Sequence, residues 1–318
     1  MAGLADLDFS DIAIESEPAA CRYKRFSEDL AVNQVPNALW PEVQALRETL
    51  LQQSGSRFRI EFHGMRLRVQ LRHTPYGPVF VARKISSALR KIDELGLPAP
   101  IVQSLRDPRL RAGFVLFSGG PGSGKTTTAC ALLMDRLERI GGFTWTAENP
   151  VEFDLQGAHG AGQCYQEEIG EDSEVMRVLM DTLRSGADTF YIGEIREEQS
   201  AKAACLAAAS GMLVVSTVHA DNPQQAILKI GMLAGFDSIA QSLKAVVTLR
   251  LDVRMSPAGR QKVLLVQPFF VEDEAMRIKI REGNLSSLQQ DIEMQRNRAV
   301  MGGAIPGGQR VAGTGILR

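Results

Sequence analysis

One stretch constrains this chain more than any other, residues 112–134, AGFVLFSGGPGSGKTTTACALLM. Phe114-Val115-Leu116-Phe117 reads as a short buried strand. It leads into Gly119-Gly120-Pro121-Gly122-Ser123-Gly124-Lys125-Thr126, which fits G-x-x-x-x-G-K-[ST] without a mismatch; Thr127 follows as a further nucleotide-binding candidate at the start of an apolar, Ala-rich helical stretch. Phosphate binding asks for this composition. Glycines let successive backbone N–H groups turn toward phosphate oxygens, the helix adds its positive N-terminal end, Lys125 supplies charge to the β- and γ-phosphates, and the Thr126 hydroxyl can ligate Mg²⁺. A dinucleotide-binding G-x-G-x-x-G fails on spacing and leaves the Lys-Thr pair without a role. The strand, motif and helix, in that order, point to a nucleoside triphosphate.

The rest of the chain is read around that site. Its 318 residues suggest about two domains. A net charge of −1 supplies no global field for nucleic acid or a membrane surface. Cys21, Cys130, Cys164 and Cys205 are scattered without a C-x-x-C pair, which argues against a zinc site or disulfide framework and for a reducing compartment. The acidic N-terminus lacks the basic region of a signal peptide. No apolar run approaches the ~20 residues of a membrane helix. The expectation is a soluble, cytoplasmic protein that meets a membrane only through partners.

Before the phosphate loop, residues 38–53 show helical spacing of Leu39, Val43, Leu46, Leu50 and Leu51. Alternating runs at 58–62 and 65–71, separated by His63-Gly64, predict a hairpin, and 79–82 a third strand. This is a small α+β domain over 1–96. Alternation sets Arg66, Arg68 and Arg72 opposite Leu67, Val69 and Leu71. Such a face serves as plain solvated surface or meets phosphate; without interleaved aromatics, nucleic acid is the weaker partner. Leu95-Gly96-Leu97-Pro98-Ala99-Pro100 reads as a turn-rich connection, so 97–106 is expected to be a linker. From 107 to 296 strands alternate with helices, the pattern of a parallel sheet. Residues 156–170 are Gly-rich and polar, a predicted surface loop, and 297–318 a Gly-rich flexible tail.

In open parallel sheets ligands sit beyond the carboxyl ends of the strands. Three polar residues are delivered there besides the phosphate loop: Glu148 after 143–147, Glu194 after 188–193, and His219 after 212–218. Glu194 suits an acid that holds the Mg²⁺ shell or polarises water, and Glu148 offers a second carboxylate. His219 can sense the γ-phosphate, or be a hydrogen-bonded core histidine.

At these residues the chain resembles the secretion ATPases of type IV pili and type II secretion. GGPGSGKTTT, TAENPVEF, LRSGADTFYIGEIRE and VVSTVHADNPQQAI are similar to that family's Walker A, Asp box, Walker B and His box, and the similarity runs over about residues 8–295. It implies an ATP- and Mg²⁺-dependent, RecA-like P-loop domain preceded by a PAS-like α+β domain. Glu194 would be the principal catalytic carboxylate, Glu148 the Asp-box acid near Mg²⁺ and water, and His219 the γ-phosphate sensor, with Thr126, Glu194 and Glu148 around the metal. MRLRVQLR and VFVARKIS resemble strands whose arginines reach a nucleotide across a subunit boundary, which singles out Arg68 and Arg83. The resemblance implies a homo-oligomeric, hexameric ring acting through a pilus or secretion platform protein at the inner membrane, without membrane insertion or nucleic acid. AMRIKIRE at 275–282 is similar to the AIRNLIRE of PilT-like retraction motors. The chain departs from the pattern at Asn149, where the family carries Asp, and at Ala13, where it carries His.

Overall fold

The computed structural model describes residues 3–25, 30–85, 89–256 and 259–302. The chain divides into two units, Met1–Ser87 and Ala88–Arg318.

The first unit is built by alternation. Its elements are β1 (Asp11–Ile14), β2 (Arg22–Lys24), β3 (Asn33–Gln34), α1 (Trp40–Leu51), β4 (Arg57–Phe62), β5 (Met65–Thr74) and β6 (Gly77–Lys84). They form an antiparallel sheet in the order β3-β2-β1-β6-β5-β4. On β5, Met65, Leu67 and Val69 are buried, while Arg66 is exposed and Arg68 half-buried. The buried face packs against Val43, Leu46 and Leu50 of α1. Phe62 pairs with Met65, so His63 and Gly64 alone make the hairpin turn; both have positive φ, as a primed two-residue turn requires.

The second unit contains α2 (Ala99–Arg106), β7 (Gly113–Ser118), α3 (Lys125–Arg139), β8 (Gly142–Glu148), β9 (Gly157–His159), β10 (Gly162–Glu168), α4 (Val175–Thr182), β11 (Thr189–Ile192), α5 (Glu198–Ala209), β12 (Leu213–Val218), α6 (Pro223–Ala234), α7 (Phe236–Ser242), β13 (Leu243–Ser256), β14 (Gly259–Phe270), α8 (Glu274–Arg281) and α9 (Gln289–Val300). Its sheet runs β14-β13-β7-β12-β11-β8-β10-β9. The strands from β13 to β10 pair in parallel, and β14 and β9 close the two edges antiparallel. Helices cover both faces, so the central strands β7 and β12 are buried at every position and are apolar almost throughout. One face carries α2 and α3 over Val115, Phe117, Val215 and Val247; the other carries α4–α8 over Phe114, Leu116, Val214 and Val246.

Three expectations are corrected. The linker expected at 97–106 contains α2, whose Ile101, Val102 and Leu105 are buried in the core beneath α3. Pro100 sits in the first turn of this helix, where a missing N–H costs nothing. The loop expected over 156–170 supplies β9 and β10, and Cys164 is fully buried. The flexible tail expected from 297 begins as helix, since α9 continues to Val300; residues 303–318 lie outside those described. All four cysteines are free and buried. Among the described residues no helix is long and apolar enough to cross a membrane.

Candidate nucleotide site

The phosphate loop leaves the carboxyl end of β7 and returns as α3, with Gly119, Gly122 and Gly124 at φ of 150°, 68° and 92°. These conformations, closed to most side chains, wrap the loop around a cleft of about 290 Å³. Pro121, Gly122, Ser123, Gly124, Lys125, Thr126 and Thr127 line one wall; Glu148, Asn149, Glu152, Glu194, Arg196 and His219 are among the residues of the other. Gly119 and Gly120 do not line it. They stand behind, and their carbonyls accept hydrogen bonds from Lys125 Nζ at 3.0 and 2.9 Å. Burial lowers the Lys125 pKa, and the carboxylates of Glu194 and Glu152 oppose that shift. A phosphate entering the cleft would meet a cation partly stripped of water and held in place by two backbone carbonyls.

Glu194 follows β11, and its backbone is pinned from both sides. Gly193 N–H donates to Ala147 O on β8, Ile195 N–H donates to Thr217 O on β12, and Thr217 Oγ1 donates to Gly193 O. Glu194 Oε2 accepts from Arg196 Nε (2.8 Å) and Nη2 (2.6 Å). Oε1 is buried, with no hydrogen bond, although His219 Nε2 stands 3.0 Å away. Ser123 Oγ in the loop is likewise buried without a partner. Burial first, and the Lys125 charge second, hold the His219 pKa below its ordinary value; Glu194 pulls the other way.

Glu148 ends β8, with 1% of its surface exposed. Its Oε1 accepts from Thr146 Oγ1 at 2.7 Å and from Gln166 Nε2 at 2.8 Å. Asn149 donates to Gly170 O and lines the cleft as an amide.

The carboxyl ends of β7, β8, β11 and β12 thus bring Lys125, Thr126, Glu148, Glu194 and His219 into one cleft. Arg68 and Arg83 belong to the other unit. There Arg59, Arg68 and Arg83 occupy one cross-strand row of β4, β5 and β6, and Arg83 Nε donates to Asp11 Oδ1 at 2.6 Å. Sequence reading did not single out Glu152, Arg196 or Gln166. Arg196 carried a signal, since it lies two residues after Glu194; Gln166 had none without knowledge of β10.

The donor set can be tested against Mg²⁺, which prefers hard oxygens and keeps several waters. Thr126 offers a hydroxyl and Glu194 a buried oxygen without a hydrogen bond. Among the described residues no cluster of three or more His, Cys, Asp or Glu could hold a metal alone. The set fits a cation that takes most of its ligands from water and from the phosphates of a bound nucleotide.

A parallel sheet with this loop and these strand-end acids defines a RecA-like P-loop nucleotide-binding unit. Residues 47–299 match the family described as type II/IV secretion system protein. The chain belongs to that family. The type IV pilus ATPase PilU of Pseudomonas aeruginosa is 31% identical over 194 residues, 58% of this chain and 50% of that protein. The type II secretion system protein E of Klebsiella pneumoniae is 32% identical over 209 residues, 64% of this chain and 41% of that protein. The chain thus spans half or less of the length of these relatives. The crystal structure of the pilus retraction motor PilT with bound ADP superposes with a TM-score of 0.73 at 22% identity, covering 95% of this chain and 92% of that one. This last likeness is one of fold.

Proposed function

We propose that this chain hydrolyses ATP with Mg²⁺ and works as a ring motor on a type IV pilus, in the direction of retraction. The observation that carries hydrolysis is Glu194, whose buried oxygen without a hydrogen bond faces the same cleft as Lys125 and Thr126. Lys125 exchanges the carbonyls of Gly119 and Gly120 for β- and γ-phosphate oxygens. Thr126 and Glu194 would hold Mg²⁺, which would supply positive charge to the reacting phosphates. Glu148, held at Oε1 by Thr146 and Gln166, orients the attacking water near the γ-phosphate. His219, kept neutral, stands where the γ-phosphate leaves. Arg68 and Arg83 complete a neighbour's site in a homo-oligomeric, hexameric ring, and the ring acts through a platform protein of the inner membrane.

Retraction is supported by the likeness of AMRIKIRE to the retraction motors' motif. Pilus extension or type II secretion is the second reading, favoured by the secretion protein among the relatives. Two experiments test the proposal. Glu194→Gln should keep ADP affinity while lowering turnover by about 100-fold or more; normal turnover would remove Glu194 from the chemistry. Deleting the gene should leave cells with excess surface pili, and bald cells would exclude retraction.

A further inference from the structure

The amide of Gln166 uses both of its N–H donors and its oxygen beside Glu148. Nε2 donates to Glu148 Oε1 at 2.8 Å and to Phe153 O at 3.0 Å, and Oε1 accepts from Leu155 N–H at 2.7 Å. The Gln166 backbone N–H is itself held, donating to Gln156 Oε1 at 2.7 Å. One side chain on β10 therefore joins the strand-end carboxylate to the 149–156 segment, which also carries Glu152 into the cleft. β10 pairs with β8 in register, Gln166 opposite Thr146 and Glu168 opposite Glu148, so Thr146 and Gln166, which both donate to Glu148, form one cross-strand pair.

We propose that Gln166 is a positioning residue for hydrolysis: its amide N–H fixes the Glu148 carboxylate in the rotamer that the hydrolytic step uses. The proposal rests on the reading of Glu148 as a working carboxylate. A carboxylate with one oxygen tied by two donors has its plane and position fixed, and misplacement by about an ångström costs up to 10²-fold in rate.

Cys130 on α3, Cys164 on β10 and Tyr191 on β11 all face Glu148, and burial pushes each of them up, Cys164 to about 12. They stay neutral across the range in which the enzyme would be assayed. Glu152, Asp154, Glu168, Glu194, Lys125, Arg196 and the titratable His219 are further groups nearby.

The test uses the full chain with Gln166→Leu, Gln166→Glu and Glu148→Gln. It measures kcat and KM for ATP from pH 5.5 to 8.5, and ADP affinity with a fluorescent ADP. Gln166→Leu should lower kcat by about 10- to 100-fold at every pH, with KM and ADP affinity within about twofold. Gln166→Glu should behave differently. Two carboxyls at this separation share one proton. While that proton remains, the new carboxyl donates to Glu148 as the amide did, and kcat approaches the wild-type value. As pH rises through the raised pKa of the pair, the proton leaves and the ratio of variant to wild-type kcat should fall about tenfold or more. A merely structural glutamine gives no such descending ratio. A pH-independent ratio for Gln166→Glu, or unchanged kcat in Gln166→Leu while Glu148→Gln is inactive, would overturn the role of Gln166 and leave Glu148 standing. Loss of ADP affinity in step with kcat in both Gln166 variants would make the residue a scaffold element and overturn the proposal. Normal turnover in Glu148→Gln would overturn the reading of Glu148 itself, and the Gln166 role with it.

Discussion

Two adjacent glycines of the phosphate loop differ in what a single methyl group would meet. At Gly119 a Cβ would lie 2.2 Å from Leu249 O and 2.4 Å from Ser123 Oγ, at a φ of 150°. Backbone stands in the way, so the loop or β13 must shift. At Gly120 nothing lies within 4 Å. Gly119→Ala should therefore lower stability by about 1–3 kcal/mol and weaken nucleotide binding, whereas Gly120→Ala should unfold within a degree or two of the wild type. Thermal unfolding with and without ADP reads both, and equal losses at the two positions would contradict the packing described. A second expectation concerns His219. Its folded pKa lies below the ordinary 6.5 because burial and Lys125 oppose the charge. The unfolded chain then binds the proton more readily, so this stabilising contribution is full above pH 6.5 and is lost as pH falls through the window below it. The wild type should lose unfolding temperature relative to His219→Gln between pH 7 and 5.5. The effect is small, since the side chain is 45% exposed. A difference that does not vary with pH would mean that His219 carries no such shift.

At the scale of elements, the sheet's outer edge depends on one buried amide. Gln295 of α9 accepts from Phe270 N–H at 2.7 Å and donates to Phe270 O at 2.8 Å, closing the last residue of β14 against the helix. Gln295→Ala strands a buried donor and a buried acceptor, and should cost about 2–4 kcal/mol in chemical unfolding; a loss below about 0.5 kcal/mol would mean that water replaces the amide there. None of this was legible in the sequence, where Gln295 lies in a polar helical run. What the chain did disclose locally follows from physics that is itself local. A central strand buried on both faces must be apolar, so β7 and β12 show themselves, and a phosphate loop must be glycine-rich. Strand ends next to such elements then deliver Glu148, Glu194 and His219 by counting alone. β10 escaped detection because it is an outer strand: only Gly162 and Cys164 of its seven residues are buried, and its polar residues read as a loop. With β10 hidden, Gln166 could not be brought to Glu148. α2 escaped because Pro98 and Pro100 mark a turn and a helix start equally well, and only the core beneath α3 decides between them.

At the scale of the whole molecule, the residues proposed for hydrolysis divide between two units. Lys125, Glu148, Glu194 and His219 belong to one; Arg68 and Arg83 belong to the other. The row Arg59, Arg68 and Arg83 places like charges side by side across three strands, an arrangement that costs stability unless something offsets it. Asp11 offsets part of it through Arg83. That pairing supplies a local explanation for Arg83, and the proposed ring supplies another, an arginine given to a neighbour's nucleotide. The two differ in what repairs the defect. If Arg83 only balances Asp11, Arg83→Ala should be rescued by adding Asp11→Asn. If it serves the neighbour, the double variant should stay as slow as Arg83→Ala. Arg68→Ala should lower turnover by roughly 10³-fold while ADP binding is kept, the loss expected when a charge is withdrawn from the transition state alone. Mixing then decides whether the arginine acts between subunits. Arg68→Ala and Glu194→Gln are each inactive alone, yet a mixed ring contains contacts where an intact Glu194 from one subunit faces an intact Arg68 from the next. Turnover should reappear on mixing, with the rate per subunit rising with total protein concentration as rings form. A mixture as inactive as its components would return Arg68 to the solvated face of its own sheet.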